Sequence, residues 1–105
     1  MPRLRLHSLV ADEFGEVLAW YAGLSPSAAE NFALTFDAAL GKVQRNPTAQ
    51  AQWRPPFRRT RLVRFPYLLI FHTDRRTTSV LALVHERREP RQTFATLARR
   101  KEKFD

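Results

Sequence analysis

Cysteine is absent from this chain of 105 residues, which excludes a disulfide scaffold, a thiolate metal site and a cysteine nucleophile together. Long apolar runs are missing too. The longest, Phe65 to Phe71, is strand-sized and far from the ~20 residues of a membrane span. The start, MPRLRLHSLV, is basic but lacks the apolar core of ~7–15 residues that a signal peptide carries. A soluble, cytoplasmic protein is the expectation. There is no P-loop, no metal-ligand spacing and no serine–histidine arrangement, so no cofactor is expected. Internal repeats and low-complexity segments are lacking as well, and the length suits a single domain spanning 1–105.

Lysine is scarce: of the 18 basic residues, all but Lys42, Lys101 and Lys103 are arginine. Guanidinium forks bind phosphates and carboxylates bidentately, where lysine acts as a point charge. A GC-rich genome would also favour arginine, and both explanations stand for the ratio. Codon bias does not explain where the charge lies. Residues 1–50 carry a net −1 and residues 51–105 a net +9. A polyanionic target or an acidic partner is expected on that second half.

Along the chain, Arg3–Ser8 alternates Leu4 and Leu6 with Arg5 and His7, as a short half-buried strand does. Val10, Phe14, Val17, Leu18 and Tyr21 follow helical spacing, with Asp12, Glu13 and Glu16 loading the first turns and Gly23 as the stop. Ser25-Pro26 opens a second helix, with the stripe Ala29, Phe32, Phe36, Ala39, Leu40 and Val43, and Asn46-Pro47 closes it. A proline-rich loop over 47–57 follows. Strands are expected at Arg58–Val63, Tyr67–His72 and Ser79–Glu86, the first pair joined by Phe65-Pro66 and the second by the turn Thr73–Thr78. Gln92–Lys103 reads as a short terminal helix with Phe94, Leu97 and the Lys101 stem on one face.

The expected fold is therefore α+β: a four-stranded antiparallel sheet in the order β-α-α-β-β-β, an N-terminal helical hairpin on one face, and a short C-terminal helix. Tyr67–Phe71 and Val80–Val84 are apolar at both parities, so both sheet faces need cover. The second cover is either the chain's own tail or another protein.

These elements carry a resemblance. Ala11, Asp12 and Trp20-Tyr21, then Ser25-Pro26, Ala39-Leu40 with Asn46-Pro47, Arg64-Phe65-Pro66-Tyr67, and Leu83-Val84-His85 with Arg87-Arg88 and Pro90 occur in order over about 85 residues. In this order they resemble the RelE/ParE superfamily of type II toxin–antitoxin toxins, ParE-like more than RelE-like. The resemblance implies a small basic toxin neutralised by a cognate acidic antitoxin, with DNA gyrase as target for ParE-like members. RelE-like members instead cleave mRNA on the ribosome. A third reading, a plain basic nucleic-acid-binding module, needs only the charged half.

Ribonuclease chemistry would need a base, an acid and cations for the phosphorane. Arg87, His85 and Tyr67 are the catalytic candidates if the chain is a ribonuclease, gathered with Arg64 at one sheet end. The alternative is that His85 caps its strand and Tyr67 packs in the core. His72 and His85 lie about 20 Å apart if Thr73–Thr78 is a hairpin turn, too far for an acid–base pair. The RelE-like pattern has an arginine after the reversal tyrosine, where this chain has Leu68. It has a tyrosine near the end, where Thr93 stands beside Phe94. An acidic partner or target is expected to meet Arg58, Arg61, Arg64, Arg87, Arg88 and Arg91. The alternative for Arg58/Arg59/Arg61 and Arg88/Arg91, and the reading of Arg75/Arg76 and Arg99/Arg100, is a solvated edge, and Trp53 either stacks on a base or closes the core edge.

Overall fold

A computed structural model describes residues 3–104. Strand β1 (Arg3–Leu6) leads into helix α1 (Ser8–Leu24), and α2 (Pro26–Arg45) folds back along it. A single 3-10 turn (Pro47–Ala49) precedes β2 (Ala51–Gln52), β3 (Arg58–Arg61), β4 (Tyr67–Thr73), β5 (Thr77–His85) and the terminal helix α3 (Pro90–Glu102). The sheet has five strands in the order β1-β5-β4-β3-β2. It is mixed, which corrects the expected four-stranded antiparallel sheet. The helical hairpin carries the chain back across the sheet, so β1 lies beside β5 in parallel, Leu6 opposite Val80. The extra strand, β2, is two residues of the proline-rich loop paired antiparallel to β3.

Helix boundaries follow from capping. His7 ends β1 and caps α1, its Nδ1 accepting the Leu9 N–H at 3.1 Å. The helix thus starts earlier than its apolar stripe, and Asp12, Glu13 and Glu16 fall beyond its first turn. Gly23 does not stop it. Ser25 does, donating its backbone N–H to the Tyr21 carbonyl while its hydroxyl accepts from the Ala28 N–H to cap α2. One serine closes one helix and opens the next. In α3 the Glu89 carboxylate accepts the Arg91 N–H, and Arg99, Arg100 and Lys101 occupy the last turn, where the helix dipole favours cations.

Both sheet faces are covered by the chain itself. Phe32, Phe36, Val43, Leu62, Leu69 and Phe71 form a core under the helical hairpin. Phe57, Leu68, Ile70, Leu81, Val84 and Leu97 form a second core under α3, with Trp53 and Phe94 at its border. The parities along β5 depend on a bulge. Ile70 pairs with Ala82 and Phe71 with Val80, leaving Leu81 as the extra residue. Val80 and Leu83 consequently face the hairpin, while Leu81, Ala82 and Val84 face α3.

Past Leu6, β1 no longer covers β5, and backbone groups on that edge need other partners. The Glu13 carboxylate of α1 accepts the Leu83 N–H at 3.0 Å, and Arg100 of α3 donates to the Leu81 carbonyl at 2.8 Å. Arg100 and Glu13 also pair with each other at 3.0 Å, their side chains only 13% and 19% exposed. Arg100, expected at a solvated edge, is instead part of the framework.

Between β3 and β4 the chain reverses over 62–66. The Phe65 N–H donates to the Leu62 carbonyl, and Arg64 sits at φ 69°, the left-handed region that L side chains avoid.

Two predictions follow from these features. Glu13→Ala and Arg100→Ala should each cost about 2 kcal/mol in denaturant unfolding, because each strands a buried backbone group and a charge. The double variant should cost clearly less than the sum, and full additivity would mean that the pair is not coupled. Arg64→Gly should keep or raise the melting temperature, since it relieves a backbone cost of about 1 kcal/mol, whereas Arg64→Val should lower it.

Candidate functional site

The end of the sheet where β3 finishes, β4 starts and β5 finishes gathers most of the residues singled out by sequence. Tyr67 and His85 are register partners with ring centroids 5.2 Å apart in an edge-on arrangement. The chain turns sharply after β5: the Arg87 N–H donates to His85 Nδ1 at 3.1 Å and the Arg88 N–H to the His85 carbonyl at 3.0 Å. The Glu86 N–H donates to the Pro66 carbonyl and fastens this turn to the Val63–Pro66 reversal.

That geometry fixes the chemistry open to His85. With Nδ1 accepting a backbone N–H, the neutral ring carries its proton on Nε2. It can donate a hydrogen bond, but has no free lone pair with which to accept a proton while the turn persists. Tyr67 is half-buried, its ring lying edge-on to Phe32 at 6.0 Å as well as to His85. His85 thus bonds a backbone group at the strand end, and Tyr67 sits at the border of the core under the helical hairpin. His72 lies opposite Ser79, six residues along β5 from His85, so the expected separation of the two histidines holds. Burial, with Lys101 second, pushes the His72 imidazole below its ordinary pKa.

The arginines divide. Arg61 Nε donates to Glu86 Oε2 at 2.9 Å, and this bond holds the Glu86 carboxyl below the usual carboxylate range. Arg58 Nη1 donates to the Gln50 carbonyl at 2.8 Å and ties β3 to the loop before β2. Arg88 reaches across to Thr96 of α3 at 3.4 Å. These three are occupied internally, because each lies within reach of an acceptor on an adjoining element. Arg91 is exposed on the first turn of α3.

Arg64 and Arg87 are different. Arg64 borders a groove of about 340 Å³ with Asn31, Leu34, Thr35, Val63 and Phe65. The Arg87 side chain is exposed and makes no hydrogen bond or ion pair among the described residues. Its two candidate internal partners are taken: Glu86 pairs with Arg61, and Glu89 caps α3.

Sequence reasoning missed the apolar part of this surface. Trp20, Leu24, Leu34 and Val63 are 62%, 63%, 62% and 59% exposed, a degree that marks large side chains with no partner in the fold. Trp20, Leu34 and Val63 are linked through packed aromatics. Trp20 touches Tyr21, Tyr21 lies edge-on to Phe65 at 5.0 Å, and Phe65 shares the groove with Leu34 and Val63. The signal was in the sequence, since Trp20, Leu24 and Leu34 all fall outside the buried helical stripes.

Two positions bear on cleavage chemistry. Leu68, where the RelE-like pattern has an arginine, belongs to the core under α3, and Thr93, where it has a tyrosine, is 2% exposed. Neither position opens onto the strand end. Trp53, left open between base stacking and core closure, packs near-parallel to Phe94 with centroids 6.4 Å apart at the border of that core. Among the described residues no cluster of His, Asp and Glu could hold a metal ion, and no helix is long and apolar enough to cross a membrane.

No protein-family model matches the chain. Among curated proteins it is similar to the toxin ParE2 of Mycobacterium tuberculosis, from the strains CDC 1551/Oshkosh and ATCC 25618/H37Rv. Each is 27% identical over 99 residues, a span covering 93% of this chain and 94% of the relative. The likeness runs through nearly the whole of both chains and supports reading this protein as a ParE-like toxin.

Proposed function

We propose that this protein is the toxin of a type II toxin–antitoxin system that arrests growth by binding an essential cytoplasmic target rather than by cutting RNA. The observation that carries this reading is the strand-end surface. An unpaired Arg87, a groove-lining Arg64 and the exposed Trp20, Leu34 and Val63 lie on or beside a site whose histidine has no free lone pair. Such a surface suits association, with apolar anchors supplying affinity and arginines supplying orientation and specificity. The RelE/ParE resemblance names DNA gyrase as the target of choice, and a cognate acidic antitoxin as the neutralising partner. The net charge of +8 favours rapid capture of such an antitoxin, at a rate that falls with added salt.

The meeting of Tyr67, His85 and Arg87 at one strand end favours a second reading, a ribosome-dependent ribonuclease. Expression of the chain separates the two. Binding to gyrase predicts a DNA damage response with intact transcripts, and ribonuclease action predicts cleaved mRNA. Growth arrest with neither would overturn both.

Arg87→Ala should abolish growth arrest at an unchanged melting temperature, since an exposed, unpaired arginine contributes little to stability. Retained arrest with a lowered melting temperature would assign Arg87 to the scaffold. Trp20→Ala should weaken binding of the target or the antitoxin by about 2 kcal/mol, roughly thirtyfold, as loss of a central aromatic anchor does. Affinities for both that stay within about twofold of the unaltered chain would remove the α1 surface from the interface.

A further inference from the structure

A second cationic site lies away from the strand end, between the start of α1 and α3. A cleft of about 620 Å³ opens there, walled by His7, Leu9, Arg88, Arg99, Arg100 and Lys103, with Glu102 and Thr96 completing the lining. Four cationic side chains face one carboxylate. Arg100 is held by Glu13 and the Leu81 carbonyl, and Arg88 by Thr96, so both are fixed in place; the Arg100 charge is offset by Glu13, while Arg88 contributes a steady positive field. Arg99 and Lys103 are exposed, and their side chains make no bond among the described residues.

His7 supplies the observation that points to a ligand. It is 4% exposed, and its Nδ1 is committed to the Leu9 N–H, which leaves the ring proton on Nε2. That N–H has no acceptor among the described residues, although the ring forms part of the cleft wall. Thr93 Oγ1 is the one fully buried side-chain polar atom without a partner among the described residues, so His7 Nε2 reaches solvent and its N–H is open to a ligand in place of water. Edge-on contact with Phe104 at 5.4 Å restrains the ring, and Phe104 is itself held under the Arg5 guanidinium at 3.9 Å. The donor is therefore held in place beside the free cations.

We propose that this cleft binds a phosphate group, the acceptor-only anion carried by nucleotides and by nucleic-acid backbones. A phosphate presents several oxygens to donors arranged around it, and here the donors are His7 Nε2, the Arg99 guanidinium and the Lys103 ammonium. Arginine adds the forked geometry that suits phosphate oxygens. The adjoining N-terminus of α1 adds positive potential of the same sign. This site does not depend on the toxin reading, because its donors His7, Arg99 and Lys103 lie outside the strand-end surface, and Arg88 of the strand-end turn only borders the cleft.

The test is a titration of the full chain, followed by amide and imidazole NMR, with inorganic phosphate, a nucleoside monophosphate, short single-stranded RNA or DNA, and a polyglutamate peptide. Saturable shifts at His7, Arg99 and Lys103 with the phosphate probes are expected. The double variant Arg99→Gln/Lys103→Gln should weaken that binding about tenfold and flatten its salt dependence, because two phosphate contacts are removed. Arg45→Gln/Arg54→Gln, which removes the same charge near the opposite sheet edge, should change it less than about twofold. His7→Asn keeps a helix-capping acceptor and removes the ring donor, so it should weaken binding too. The exposed pair decides the matter if that buried variant fails to fold. A monophosphate binding as tightly as the oligomer assigns the cleft to a free nucleotide, and a much tighter oligomer assigns it to a nucleic-acid backbone. Equal losses in the two charge pairs would overturn the proposal, as would binding of polyglutamate alone or of no probe.

Discussion

The contact on which much else depends is the clasp of Glu13 and Arg100 over the uncovered edge of β5. Strand β1 stops at Leu6, because His7 turns the chain into α1, while β5 continues to His85. The Leu83 N–H and the Leu81 carbonyl are left facing no strand. A carboxylate from one helix and a guanidinium from another take them up, and the two charges neutralise each other. Buried backbone groups must find partners somewhere. By finding them on α1 and α3 at once, the sheet fixes a helix on each of its faces relative to the same strand.

The bulge at Leu81 works with that clasp. In a regular strand Leu81 and Leu83 would face the same way and Val80 the other. The extra residue breaks this alternation, sending Leu81 to the α3 core and Leu83 to the hairpin core. Two cores can thus be fed from one strand that is apolar at every position from Val80 to Val84. The cover that could have come from a partner protein comes from α3, so the surfaces open to partners lie elsewhere, at the strand end and beside the start of α1.

Charge on the basic half is accordingly of two kinds. Arg58, Arg61, Arg88 and Arg100 each find an acceptor on an adjoining element and act as ties between elements. Arg64, Arg87, Arg99 and Lys103 form no such tie. Arg64 and Arg87 sit at the strand end beside an apolar patch, and Arg99 and Lys103 line a cleft with an unpartnered imidazole N–H. One surface is suited to a macromolecular partner and the other to a small anionic group.

Local chemistry made much of this legible in the sequence. The two helical stripes, Ser25-Pro26 and Asn46-Pro47 placed the hairpin, because periodicity and capping act within a few residues. The apolar strands and the Thr73–Thr78 turn placed β4 and β5, and the absence of cysteine and of any ligand spacing narrowed the chemistry. Arg87 was found as the arginine past a strand end. Tertiary structure decided what depends on distant partners. The parallel pairing of β1 with β5 follows from where the hairpin returns the chain, and the role of Glu13 follows from a backbone N–H seventy positions away. Which arginines are tied and which are free rests on acceptors brought close only by folding. The sequence alone determined the elements and the uneven distribution of charge. The assembled structure alone decided which charges remain available to bind, because an ion pair or a hydrogen bond is a property of distance in space and not of spacing along the chain.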